Sequence, residues 1–194
     1  MKINSRFLLA ASLGLGLVNV AAAAVETYAI DVVHSSVAFS IRHFVSKVHG
    51  KFSKFDGKLV IDRANLANSS VEATIDAASI NTDNQKRDDH LRNADFFEVA
   101  KFPTITFRSR QWKKTGEHTF DVTGDLTLKG VTKETVLKVT SLGFGPGMGG
   151  AQLSGWEATT KIDKKQFNMP DPAMLDAALG DDVAITINIE AKKA

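Results

Sequence analysis

Cysteine is absent from all 194 residues. The chain therefore has no disulfide, no thiol nucleophile and no thiolate metal ligand, and burial alone must stabilise it. Tyrosine occurs once, at Tyr28, and tryptophan twice, at Trp112 and Trp156. Rings with a hydrogen-bonding handle are thus scarce. No stretch of five or six like charges occurs, and no Pro- or Gly-rich linker or internal repeat divides the chain. Past residue 24 there is also no apolar run of the length a membrane-spanning helix needs.

The first 24 residues carry an export pattern. Lys2 and Arg6 precede an apolar stretch from Phe7 to Val20, and Ala21–Ala24 supply small residues for cleavage. That order predicts a secretory signal peptide over residues 1–24, cut after Ala24, and a periplasmic destination. No cysteine follows the cut, so no covalent membrane anchor is expected, which leaves transient membrane contact as the only kind. The whole chain holds 24 basic and 22 acidic residues. Removing Lys2 and Arg6 leaves 22 of each, because residues 1–24 contain no Asp or Glu. A neutral surface excludes nucleic-acid binding through a broad basic face. Zero net charge with an exposed sheet edge would permit a homodimer.

Residues 25–194 alternate with period two. Val37, Phe39 and Ile41 alternate with Ala38, Ser40 and Arg42, and Val71, Ala73 and Ile75 with Glu72, Thr74 and Asp76. Similar runs occur at Ile105–Phe107, Phe120–Leu128, Leu137–Val139 and Val183–Ile189. One apolar and one polar face per strand predicts an antiparallel sheet. Turn signals are read at Asp56-Gly57, at Lys129-Gly130 and across Gly143–Gly150, the last as a long hairpin loop. Two segments break the pattern. Asp83–Asn93 is helix-permissive with Asp83 as its cap, and Lys164–Leu179 contains Pro170 and Pro172. About eight strands with a single apolar face must close on themselves, so one all-β domain, an antiparallel β-barrel with one or two short helices, is expected.

The barrel interior can be filled or can hold a small guest. The chain beyond residue 24 has 11 Phe, an interior rich in area and poor in polar handles, which suits a long apolar ligand. Composition alone leaves packed core and cavity both open.

Catalytic and metal patterns are weak. His34, His43, His49, His90 and His118 are not spaced as paired ligands on one helix face. Asn81, Asp83, Asp88 and Asp89 lack the spaced loop and closing Glu of a calcium site, and His34 beside Ser35 and Ser36 does not make a nucleophile–base pair. At helical spacing Asp88 would pair with Arg92, and Lys86 would face His90. This polar helix reads either as a solvated face or as a lid over one barrel mouth, with Phe96 or Phe97 plugging the mouth or the core.

The chain resembles the YceI-like family, the polyisoprenoid-binding, lipocalin-like exported proteins. The stretches that carry the resemblance include His34-Ser35-Ser36-Val37, Phe39 to His43, Gly50-Lys51-Phe52 and Phe55-Asp56-Gly57. More specific are Arg87-Asp88 with His90-Leu91-Arg92, Asp95-Phe96-Phe97, and Phe102 to Phe107; Gly124 to Thr132, Trp156-Glu157-Ala158 and Gly180 to Val183 follow in order. The resemblance implies an extended lipocalin-like barrel, no catalysis, no cofactor and no metal. Its ligand would be a long-chain isoprenoid lipid. Its tail is expected on Phe39, Ile41, Phe52, Val71, Ile75, Phe107, Leu126, Trp156, Ile185 and Ile187, and its head group near Arg42, His43, Arg87 and His90. The rival readings are an envelope enzyme acting on a lipid through His34 and His90, and a filled barrel that binds a protein. Two departures from the family pattern stand out: Asn168 where Gly is expected, and Leu153-Ser154 where a basic residue is common. Both are read as lying in one region, near the head group.

Overall fold

The computed structural model describes residues 25–171 and 178–194. The expected leader and residues 172–177 of the second interruption lie outside the described residues. Eleven strands follow one another: β1 (Val25–Ile30), β2 (Ser36–His43), β3 (Ser46–Phe52), β4 (Phe55–Asp62), β5 (Ser70–Asp76), β6 (Ile80–Asn81), β7 (Thr104–Lys114), β8 (Thr119–Leu128), β9 (Val131–Pro146), β10 (Gln152–Asp163) and β11 (Leu179–Lys193). One helix, α1 (Gln85–Arg92), stands between β6 and β7. It is the sole α-helix among the described residues, with four short 3₁₀ turns besides.

All strand pairs are antiparallel, and eight strands close a barrel in the order β1-β4-β5-β7-β8-β9-β10-β11. The β1–β11 pairing, Tyr28 opposite Lys193 through Ile30 opposite Ala191, seals the ring. Further along, β11 leaves β1 and pairs with β2, from Asn188–Ser36 to Leu179–His43. β2 in turn carries β3 and the short β6. A closed ring leaves no edge for the apolar faces to expose, which is why period-two sequence settles into this shape.

Of the three turn signals, Lys129-Gly130 is a turn, Asp56-Gly57 is not, and Gly143–Gly150 is one only in its second half. Lys129-Gly130 is a tight two-residue hairpin with φ of 49° at Lys129 and 71° at Gly130, the second a value Gly accepts without Cβ strain. Asp56-Gly57 is no turn; it lies inside β4, where Asp56 opposes Thr74 and Gly57 opposes Ala73. Gly143–Gly145 continue β9 against β10, and the hairpin bend is confined to residues 147–151. Alternating Gly therefore belongs to strand, since the pairing with β10 supplies the hydrogen bonds that Gly does not favour by itself.

Bulges reset the alternation. Phe107 and Trp112 both line the interior although five residues apart, because the β7–β8 register slips between Ser109 and Gln111. A strict period of two puts them on opposite faces. Space is also arranged locally. A Cβ on Gly124 would stand 2.5 Å from the Phe107 ring, so that ring lies over a position only glycine can fill.

Candidate functional site

Buried residues form two clusters at opposite ends of the barrel. One gathers Tyr28, Ile61, Trp112, Phe120, Val122 and Trp156; the other gathers Phe52, Phe55, Ile80, Ile105, Leu128 and Phe167. Between them the inward side chains do not meet. Val183, Ile185, Ile187 and Ile189 all point inward on β11, yet each is only half-buried. They face a chamber of about 860 Å³, within the range of ligand sites and far too large for a packing defect.

The chamber has a floor and a rim. Trp112, Val122, Val139, Trp156 and Ile189 are the last lining residues on β7 to β11. The next inward positions on three of these strands, Phe120, Ser154 and Ala191, are buried behind them and do not reach the chamber. Trp112 and Trp156 meet edge to face at 5.6 Å, and Trp112 rests on Phe120 at 5.8 Å. The Trp156 indole N–H donates to Ser154 Oγ at 3.0 Å, whereas the buried Trp112 Nε1 has no partner among the described residues. At the other end the lining turns polar: Thr82, Asn84, Lys86, Arg87, Asp89, His90 and Asn93, all on or beside α1.

The rim is a network tied to the backbone. Asn84, in extended conformation, caps α1 by accepting from the Arg87 N–H at 3.0 Å. Asp83 is therefore not the cap; it sits one residue early with φ of 58°. Asp88 is buried and accepts from the Thr82 N–H at 2.9 Å and the Thr82 hydroxyl at 2.6 Å. Arg87 donates to the Thr82 hydroxyl and carbonyl at 2.7 and 2.8 Å. Arg92 donates to the carbonyls of Ala78 and Ile80, and pairs with Asp89 at 2.9 Å. The expected Asp88–Arg92 and Lys86–His90 pairs thus give way to others, His90 turning to Asp95 at 3.2 Å. Burial of Asp88 explains the exchange, since a buried carboxylate needs several donors at once.

All ten residues expected along a lipid tail line the chamber. His43, Arg87 and His90 of the expected head-group set stand at its polar end. Arg42 does not: alternation turns it outward, where it donates to the carbonyls of Phe44 and Leu179. Phe96 is buried against His90, and Phe97 packs edge-on against Phe52 at 5.8 Å; both line the chamber. The two departures from the family pattern lie far apart, not in one region. Ser154 holds Trp156 at the floor end. Asn168 closes the 3₁₀ turn Lys164–Phe167 past the other end of β10, in left-handed conformation with φ of 55°. Asn is the side chain that best replaces Gly there.

Sequence reading missed Lys164. It is buried, lines the chamber and donates to Asp171 at 2.9 Å and Asp181 at 3.4 Å. Nothing in the sequence separates it from Lys165 beside it. The fold also assembles Asp31, His34 and Glu190 within 4.8 Å of one another where β1 passes into β2. Asp31 accepts from His34 Nδ1 at 2.9 Å, and this bond raises the imidazole's pKa and lowers that of the carboxyl. The cluster is solvent-facing and outside the chamber lining.

A closed antiparallel ring around a large apolar chamber defines a lipocalin-like hollow barrel. Comparison gives the particular family: residues 28–191 match the YceI-like domain, and the chain belongs to that family. A UPF0312 protein of Ectopseudomonas mendocina is 43% identical over 160 residues, 81% of this chain and 83% of that one. Protein YceI of Escherichia coli O157:H7 is 43% identical over 137 residues, 70% and 71% of the two chains. Among solved structures, Burkholderia cenocepacia BcnA shares 25% identity at a TM-score of 0.76, covering 83% of this chain and 98% of its own. A domain from Saccharophagus degradans, described as polyisoprenoid binding, shares the fold at 18% identity and a TM-score of 0.63, over 86% and 98% of the chains.

Proposed function

We propose that this protein is an exported carrier or store that holds a polyisoprenoid or comparable long-chain lipid in its barrel. The chamber carries this reading: about 860 Å³ walled by Phe, Ile, Leu and Val, closed by a tryptophan floor and edged with polar groups at one end only. One polar end and one apolar end suit a ligand with a head and a tail. Burial contributes roughly 25 cal/mol per Å² of apolar surface, so a tail of many methylenes binds without polar contacts, less the cost of ordering it. The head group then lies at the rim near His43, Arg87, His90 and Lys164. The export pattern of residues 1–24 supports a periplasmic carrier, since an apolar chain there needs shielding from water. The family match and the polyisoprenoid-binding neighbour support the same ligand class.

A filled barrel that serves only as a protein-binding surface is disfavoured by the chamber itself. The enzyme reading through His34 and His90 is disfavoured because only His90 lines the chamber, while His34 stands outside it. The test is native mass spectrometry of the purified protein with extraction of whatever it carries. A long-chain lipid should copurify, or added isoprenoid should bind one per chain. An empty chamber that rejects added isoprenoids overturns the proposal.

A further inference from the structure

The β2–β3 hairpin carries cations and no acidic residue. Residues 32–55 contain no Asp or Glu, but do contain Arg42, Lys47, Lys51 and Lys54 with His34, His43 and His49. Arg42 and Lys47 are direct cross-strand partners, both exposed. Like charges in that position oppose pairing of the strands. The nearest acidic side chains on the neighbouring β11 are already occupied, Asp181 by Lys164 and Lys165, and Asp182 by Lys161.

The tip of this hairpin is apolar and strained. Phe44 and Val45 form its two-residue loop and are 59% and 104% exposed. Phe44 has φ of 48°, a left-handed conformation that suits Gly or Asn and is an outlier for a bulky ring. The tip is nonetheless held in place. The Phe44 N–H donates to the Ala178 carbonyl at 2.7 Å, the Arg42 guanidinium donates to the Phe44 carbonyl, and His43 meets the Phe44 ring edge-on at 4.9 Å. Three features that oppose folding therefore converge on one exposed point: apolar exposure, backbone strain and cations, Arg42 and Lys47, with no ion pair among the described residues. Ile41, His43 and Val48, on the strands just behind the tip, line the chamber at its rim end.

An apolar wedge framed by cations, with no anion of its own, is the chemistry of an interfacial anchor on an anionic bilayer. We propose that the Phe44–Val45 tip, with Arg42 and Lys47, docks this protein on an anionic phospholipid surface, bringing the rim of the chamber to the head-group layer. The docking site stands on the hairpin alone. That an apolar cargo crosses at this rim rests on the carrier reading above.

Flotation with phosphatidylcholine vesicles, with and without phosphatidylglycerol, tests it. The unaltered protein should float with the phosphatidylglycerol vesicles, and retention should fall as salt rises. Lys47→Glu should weaken that binding by about fivefold and leave binding to phosphatidylcholine alone unchanged. Phe44→Gly with Val45→Ser should weaken binding to both by about tenfold, while Tm stays equal or rises because Gly relieves the left-handed strain. The thermal readout separates lost docking from lost folding. Isoprenoid added from detergent should bind both variants one per chain, as it does the parent, so docking and cargo binding are judged apart. An unaltered protein that stays with neither vesicle, or a tip variant that floats as well as the parent, overturns the proposal.

Discussion

Tyr28 and the two tryptophans, the few rings with polar handles, all end in the floor-end cluster and meet three different fates. The Tyr28 hydroxyl donates to Glu26 at 2.6 Å, and burial followed by that bond pushes its pKa up to about 12. The folded value lies above the ordinary one of about 10. The associated stability is therefore full below pH 10 and is lost as pH climbs through the folded value. Ultraviolet titration should show no phenolate until well above the ordinary range, with unfolding following close behind. The tryptophans make a contrast. Trp156→Phe strands the buried Ser154 hydroxyl and should cost about 1–3 kcal/mol. Trp112→Phe removes an N–H that has no partner among the described residues, so it should cost less than half as much. Urea midpoints of the two variants check this ordering.

At the scale of elements, α1 is a short polar helix that holds its place by hydrogen bonds more than by an apolar stripe. Asn84 caps it, Asp88 fastens it to Thr82, and Arg92 reaches back to Ala78 and Ile80. Asn84→Ala should cost about 1 kcal/mol of stability. Because Asn84 also stands at the rim, amide exchange should quicken in α1 before it does in the barrel strands. The element was legible in the sequence, but its bonding was not. The Arg87-Asp88 motif was distinctive enough to suggest ligand contacts, yet Asp88 points into the protein and Arg87 spends two nitrogens on Thr82. Spacing along a helix says which residues share a face; it does not say that Thr82, six positions before Asp88, folds back against that face. The bulge in β7 is a second case. Alternation breaks between Phe107 and Trp112, and a sequence read by period alone misplaces one of them.

At the scale of the molecule, the barrel is hollow where most domains are packed. Inward side chains that face a void forgo contacts, so an occupant of the chamber should stabilise the fold by mass action. Stripping the protein of bound lipid should lower Tm, and adding isoprenoid back should restore it. Filling the void from within separates the chamber from the fold. Ala73 lines it on β5 with room beside it. Ala73→Phe should reduce lipid occupancy severalfold in native mass spectrometry without lowering the Tm of the lipid-free protein. A variant that keeps full occupancy argues against this chamber as the lipid site.

The sequence by itself determined the antiparallel strands, the inward set of apolar residues and the Lys129-Gly130 turn. Each follows from local rules: side chains alternate along a strand, and left-handed backbone selects its residue. The tertiary structure alone decided that the ring encloses a chamber, that Trp112 and Trp156 close it, and that Lys164 rather than Arg42 reaches it. The enclosed space depends on how many strands close the ring and how they stagger. Those quantities belong to the whole sheet and to no residue in it, and the same inward residues could line a void or fill it.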